Sequence, residues 1–193
     1  INEVGAEQSL YFRQLFETEK MLGWVNEGQR IHVKHGLYRF KDMKMSTRKG
    51  NTIWLEEVLE EAIKRARSLG KKSSLNENID VSAVGIGALK WNDLKRSSHL
   101  DIVFDWDEIL NMQGNSGPYM QYTYVRCLSV LKNQKNLEFK DVQANTDELA
   151  VMRTLTKFPE VVLSAALQYA PHHICTYLYD LGQKFNLFYQ KHN

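Results

Sequence analysis

Apolar positions repeat with a helical period over residues 6–22, alternate over 30–40, and return to a helical period through most of the remainder. In the first stretch Tyr11, Phe12, Leu15, Phe16 and Leu22 share a face, and Gly23 stands where a left-handed residue closes a helix. From Arg30 to Phe40, Ile31, Val33 and Leu37 fall on one side with His32 and Lys34 on the other, which predicts one strand. Residues 54–69 predict an amphipathic helix with the stripe Leu55, Val58, Leu59, Ala62, Ile63 and Ala66. Its glutamates come early and Lys64, Arg65 and Arg67 late, matching the helix dipole. Gly70 to Asp80 reads as a polar loop, Val81 to Leu94 as a helix, and Ile102-Val103-Phe104 as a short strand.

Beyond Gly114-Asn115-Ser116-Gly117 the pattern is helical throughout. Pro118 suits a first helical turn, and Met120, Tyr124, Cys127, Leu128 and Leu131 form a stripe behind it. Asn133 to Asn145 is a polar connection. Residues 146–158 are helical, and Pro159 and Pro171 each open another helix. The last helix carries Ile174, Tyr177, Leu178, Leu181, Phe185 and Phe188. The stripes at 120–131 and 174–188 are expected to pack as antiparallel or near-antiparallel neighbours, and if further helices are missing some of Ile174, Phe185 and Phe188 are expected to lack full cover. The expected architecture is an α/β part over residues 1–116 followed by an all-α bundle over 117–193, predominantly helical overall, with no internal repeat.

Composition narrows this picture. At 193 residues, 43% hydrophobic and 25% charged, the chain can bury a core, which excludes wholesale disorder. A net charge of +2 excludes a polybasic coat but not a local cationic site. Two cysteines, Cys127 and Cys175, build neither a disulfide framework nor a four-ligand zinc site alone, and read as core thiols. No apolar run reaches the roughly 18 residues that span a bilayer, and the first residues do not form a signal peptide. A soluble, reducing, cytoplasmic setting is expected, with no membrane partner; the oligomeric state is open. There is no initiator Met. Ile1 to Gly5 reads as the tail of a strand whose partners are absent, and the last helix stops at Asn193, so a piece of a longer protein is expected.

The chemistry concentrates between 39 and 49. Arg39, Lys41, Lys44, Arg48 and Lys49 stand there against Asp42 alone, with Ser46 and Thr47 among them. Cations, hydroxyls and a following helix N-terminus suit a polyphosphate, although composition alone favours a solvated charge run.

The order of residues says more. Lys44-Met45-Ser46-Thr47-Arg48 resembles the KMSKS signature of class I aminoacyl-tRNA synthetases in its arginyl-type form. Gly5-Ala6-Glu7-Gln8 resembles the strand-end turn of that fold's second half, and His35-Gly36-Leu37 the strand whose backbone lies beside the adenine. Gly114-Asn115-Ser116-Gly117-Pro118-Tyr119-Met120-Gln121-Tyr122, with Arg126 one turn on, is similar to the junction into the helical anticodon-binding domain. Pro171 to Tyr189 resembles a later helix of that domain. Several ordered blocks covering nearly the whole chain are specific where one five-residue match is not. The sequence is identified as a member of the arginyl-tRNA synthetase family.

That resemblance implies the second half of a class I nucleotide-binding domain over 1–116 and a truncated anticodon-binding domain over 117–193. It implies ATP with Mg²⁺, arginine and tRNA(Arg) as partners and an arginine–tRNA ligase activity to which the piece alone is not competent. Lys44 and Ser46 are the implied catalytic groups. His35, Gly36, Leu37, Lys44, Met45, Ser46, Arg48 and Lys49 are the implied ATP-binding residues, with Gln8 at the edge of the substrate site. Tyr119, Tyr122 and Arg126 are the implied tRNA-binding residues, and no metal site of the protein's own is implied. Thr47 stands where the signature usually has its second lysine, a role left to Arg48, Lys49, Lys41 or a residue elsewhere. No HIGH-type motif is present, and His32 and His35, three apart on a strand, point to opposite faces and do not replace it.

Other features read as structure. Gly85-Ile86-Gly87 lacks the third glycine of a dinucleotide fingerprint and reads as close helix packing. His172 and His173 read as first-turn surface residues, and Asp101, Asp105, Asp107 and Glu108 as solvated carboxylates around a strand end. Tyr124 belongs to the core stripe, which leaves Tyr119 and Tyr122 for an interdomain or RNA-facing side. Two alternatives stand beside the ligase: another class I synthetase such as the cysteinyl enzyme, and a catalytically silent RNA-binding paralogue. The KMSTR form and the Gly114–Tyr122 block weigh against the first, and intact Lys44, Ser46 and Gly50 against the second.

Overall fold

The computed structural model describes residues 1–40, 54–72, 80–132 and 143–192. The chain divides into two compact units, Ile1–Thr52 with Arg96–Asp105, and Ile53–Lys95 with Trp106–Asn193.

The first unit is built on parallel strands. Strand β1 (Asn2–Gly5) runs into a 3-10 turn (Ala6–Gln8) and helix α1 (Ser9–Met21). Strand β2 (His32–His35) then returns parallel to β1, with Asn2 opposite His32 and Gly5 opposite His35. The opening strand therefore has a partner, contrary to the sequence expectation. Helix α1 buries Phe12, whose ring centroid lies 4.5 Å from that of His32. The histidine side of the strand thus faces the helix: an imidazole offers a flat apolar body, while its Nε2 reaches the Val4 carbonyl at 2.9 Å. The helix ends as a Schellman motif. Gly23, at φ 71°, donates its N–H to Lys20 O, and Trp24 donates to Glu19 O, both at 3.0 Å.

The single strand expected over 30–40 is two strands. Strand β3 (Tyr38–Phe40) leaves β2 and pairs in parallel with β4 (Ile102–Phe104), Tyr38 opposite Ile102. The break falls at Gly36, whose N–H donates to Ser98 O at 2.8 Å. A Cβ there would lie 2.6 Å from the backbone N of Asp101, so only glycine lets the two backbones come this close.

The second unit is helical. Helix α2 (Leu55–Lys72) continues past Gly70, so the expected loop starts later; Leu55 is exposed, while Ala62 and Ala66 are buried. Helix α3 (Val81–Leu94) opens on Asp80, whose carboxylate accepts from the N–H groups of Ser82 and Ala83. A short helix α4 (Trp106–Ile109) takes up Asp107 and Glu108, which the sequence had placed around a strand end. Helix α5 (Gly117–Lys132) then precedes α6 (Thr146–Leu155), α7 (Phe158–Gln168) and α8 (His172–Lys191). A Cβ on Gly85 would meet the Ala62 backbone at 2.8 Å, and one on Gly117 would lie 2.6 Å from Ala88 Cα. So α3 touches α2 and α5 backbone to backbone, as the packing reading of Gly85 requires.

Helix α8 does contact α5, but its main neighbours are α6 and α7. Cys175 and Tyr177 are buried, and Ile174, Phe185 and Phe188 are half-buried. The α5 stripe is displaced from its expected face: Tyr124 is 64% exposed and Leu131 also faces outward, while Ser116 and Thr123 are buried. The polar side chain of Asn186 on α8 draws Tyr119 and Thr123, rather than Tyr124, to the inner face.

Candidate functional site

Gly5 and His35 are register partners, so the residues after β1 and β2 emerge at the same, carboxyl end of the sheet. Gln8 lies in the turn after β1, and His35, Gly36 and Leu37 lie at the end of β2. Open parallel sheets hold ligands at this end. The strand break here is tightly held. His35 Nδ1 lies 3.0 Å from Gly36 O, Leu37 O accepts from Ile102 N–H at 2.9 Å, and Leu37 N–H donates to Asp101 Oδ1 at 2.8 Å. Arg39 adds Nε and Nη2 to Asp101 Oδ2 at 2.7 and 2.6 Å. The Leu37 N–H, then Arg39, hold the Asp101 carboxyl below the usual carboxylate range. Asp101 is thus engaged, not idly solvated. Lys44, Met45, Ser46, Arg48 and Lys49 lie outside the described residues, as do Lys41 and Thr47. Among the described residues, no three His, Cys, Asp or Glu side chains gather into a metal-binding group, and no helix is long and apolar enough to cross a membrane.

In the second unit the Gly114–Tyr122 block is a hydrogen-bonded junction. Trp91 Nε1 donates to Asn115 Oδ1, and Lys95 Nζ donates to Asn115 O and Glu108 Oε1, all at 2.8 Å. Ser116 Oγ donates to Asn111 O and accepts the Tyr119 N–H, capping α5. Sequence reasoning missed Trp91 and Lys95, because a partner about twenty residues away leaves no local pattern.

Behind this junction, buried Asn186 joins α5 to α8. Its Nδ2 donates to Tyr119 Oη at 3.0 Å and Thr123 Oγ1 at 2.8 Å, and its Oδ1 accepts from Arg126 Nη1 at 2.6 Å. The Arg126 guanidinium lies over the rings of Tyr122 and Tyr189, 4.6 and 4.7 Å from their centroids. Tyr119 packs edge-on to Tyr179 inside the bundle, while Tyr122 remains 45% exposed. The expectation that Tyr119 stands free and Tyr124 sits in the core is reversed. An asparagine beside an apolar stripe was the one available signal for Asn186.

An open cleft of about 470 Å³ lies between α7 and α8, lined by Lys157, Glu160, Ser164, His173, Tyr177 and Asp180 among others. His173 is half-buried there with Nδ1 3.0 Å from Ser164 Oγ, so it is not the free surface residue expected. Burial raises the pKa of both Cys175 and the half-buried Cys127.

Parallel strands with candidate ligand groups at their carboxyl ends, followed by an all-helical region, define an α/β domain and a helical one. Residues 1–106 match the model of the class I (R) tRNA synthetase catalytic domain, and residues 120–193 match the DALR anticodon binding domain. The chain belongs to the class I (R) tRNA synthetase family. It is 35% identical over 201 residues to an arginine–tRNA ligase of Clostridium kluyveri, covering 98% of this chain and 35% of that one. A Fusobacterium nucleatum arginine–tRNA ligase is 38% identical over 198 residues, covering 95% and 34%. The arginyl-tRNA synthetase structure from Thermus thermophilus superposes with a TM-score of 0.85 at 28% identity, over 97% of this chain and 32% of that one. The Plasmodium falciparum arginyl-tRNA synthetase structure, at 23% identity and a TM-score of 0.77 over 98% and 34%, shares the fold. The chain spans about a third of the length of the curated relatives it matches.

Proposed function

We propose that this chain is part of a cytoplasmic arginine–tRNA ligase, with residues 1–116 contributing to its catalytic domain and 117–193 to its anticodon-binding domain. The observation that carries this is the order of the matches: a catalytic-domain match containing the KMSTR signature, followed directly by an anticodon-domain match. In the reaction, arginine's carboxylate oxygen attacks the α-phosphorus of ATP, which enters with Mg²⁺ as a substrate complex. The α–β phosphoanhydride bond breaks, pyrophosphate leaves, and the arginyl group then passes from the adenylate to a hydroxyl of the terminal ribose of tRNA(Arg). Lys44 and Ser46 stabilise charge on the departing pyrophosphate, with Met45, Arg48 and Lys49 completing the phosphate-binding segment. The backbone at His35, Gly36 and Leu37 lies beside the adenine, and Gln8 borders the substrate site. Tyr119, Tyr122 and Arg126 serve the tRNA side, Tyr122 by contact and Tyr119 and Arg126 by holding α5 on α8.

Over a third of its relatives' length and without a HIGH-type motif, the chain alone does not activate arginine, because proximity of ATP and amino acid needs both halves of the site. The test is arginine-dependent ATP–pyrophosphate exchange in the presence of tRNA. The ligase containing this chain is expected to exchange and the isolated 193 residues to be silent. Exchange by the isolated chain would sink the second claim, and no exchange by the ligase would sink the first.

A further inference from the structure

We infer that Asp101 is a positioning residue for the nucleotide end of the first unit, fixing the backbone at Gly36 and Leu37 beside which adenine would lie. This rests on the ligase reading above. The argument starts from the strand break. Strand β2 is laddered to β1 and strand β3 to β4, so residues 36 and 37 belong to neither ladder. Their main-chain groups are held instead by the short segment 98–102. Ser98 O takes the Gly36 N–H, Ile102 N–H donates to Leu37 O, and a side chain, that of Asp101, takes the Leu37 N–H.

The same carboxylate holds Arg39 by two donors of its fork. Residues 37 and 39 are two apart, so one acid grips a main-chain group and a side chain along one edge of the extended chain. Asp101's side chain is 41% exposed, unlike a core residue, and an exposed ion pair adds little to global stability. Its effect is local: it sets where the strand end sits before a ligand arrives, and pre-set geometry is what binding and in-line displacement both require.

The experiment uses the ligase containing this chain, with Asp101→Ala, Asp101→Asn and Arg39→Ala, assayed by ATP–pyrophosphate exchange with separate titrations of MgATP and arginine. Loss of one such hydrogen bond predicts a rise of about three- to tenfold in KM for ATP in Asp101→Ala. KM for arginine and the melting temperature should not change. Asp101→Asn, which keeps an acceptor for the Leu37 N–H, should bring KM for ATP back to within about twofold of wild type. In amide spectra of the chain itself, the Leu37 N–H should move on acid titration in the wild type and not in Asp101→Asn.

An unchanged KM for ATP in Asp101→Ala, an equal rise in both KM values, or a Leu37 amide indifferent to acid would each overturn the proposal while leaving the ligase reading intact. Absence of arginine-dependent exchange in the wild-type ligase would overturn that reading and the proposal with it.

Discussion

Replacing Gly85 by alanine tests whether α2 and α3 really meet backbone to backbone. The new Cβ would lie 2.8 Å from both the carbonyl carbon and oxygen of Ala62 and 2.9 Å from Ile63 N, and none of these atoms can swing aside. The helices must part, and because only backbone atoms are met the cost falls in the upper part of the overpacking range, about 2–3 kcal/mol. Alanine's better helix propensity returns up to about 1 kcal/mol, leaving a net loss of about 1–2 kcal/mol. Gly70, in the last turns of α2, supplies the internal control, since a Cβ there meets nothing within 4 Å. Gly70→Ala gains the propensity term alone, about 0.5–1 kcal/mol. Urea unfolding of each variant, followed by helical ellipticity, should move the two midpoints in opposite directions at unchanged m. For a unit of this size the Gly85→Ala loss corresponds to a fall of about 3–8 °C in Tm. If both substitutions stabilise, or both shift the midpoint alike, the close approach at Ala62 is not present in solution and the packing argument fails.

Three further outcomes can be checked. Asn186→Ala should cost about 1–3 kcal/mol, because it removes the partner of Tyr119 Oη and of Arg126 Nη1 in the α5–α8 contact; a loss under about 0.5 kcal/mol on chemical denaturation would contradict the clasp. Asp147, on which His192 first and then Lys191 converge, has its pKa lowered in the folded chain; the stabilisation is therefore present above the unfolded carboxylate value and lost as pH falls through the folded one. Amide protection in the last turn of α8, taken relative to the intrinsic exchange rate at each pH, should thus fall only below about pH 4, and Asp147→Asn should remove that dependence. Lys44→Ala in the ligase should slow adenylate formation by about 10²–10³ and leave arginine affinity nearly unchanged, whereas a lysine on a solvated loop would change it by less than about threefold.

The helices other than α4 were legible because they announce themselves locally. Gly23 is a left-handed stop, Pro159 lies in the first turn of α7, Pro171 stands just before α8, and apolar residues recur three or four apart, all of which a reading of the chain can see. What failed were decisions made by partners distant in sequence. The break at Gly36 depends on the approach of residues 98–102, and nothing in the alternation from Ile31 to Leu37 announces it. The inner face of α5 was misread for the same reason. Hydrophobicity pointed to Tyr124 and Leu131, yet α8 presents Asn186, so a tyrosine hydroxyl and a threonine are the side chains that can satisfy it. A stripe rule ranks residues by transfer free energy and cannot price a polar group that already has a partner.

The candidate site divides along the same line, with a consequence for how such sites should be read. The KMSTR residues were recognisable by order rather than by composition, since five cations in eleven positions also describe an ordinary solvated loop. On the ligase reading, phosphate chemistry calls for those side chains themselves, so the reaction is written in residue identity. A residue that holds a backbone group in place faces no such demand. Asp101 meets Leu37 across 64 positions of sequence, and any side chain offering an acceptor at that point could hold the same N–H. Positioning is therefore written in geometry and chemistry in sequence. This is why Asp101, dismissed as one solvated acid among four, becomes visible only once the strand end it holds has been built.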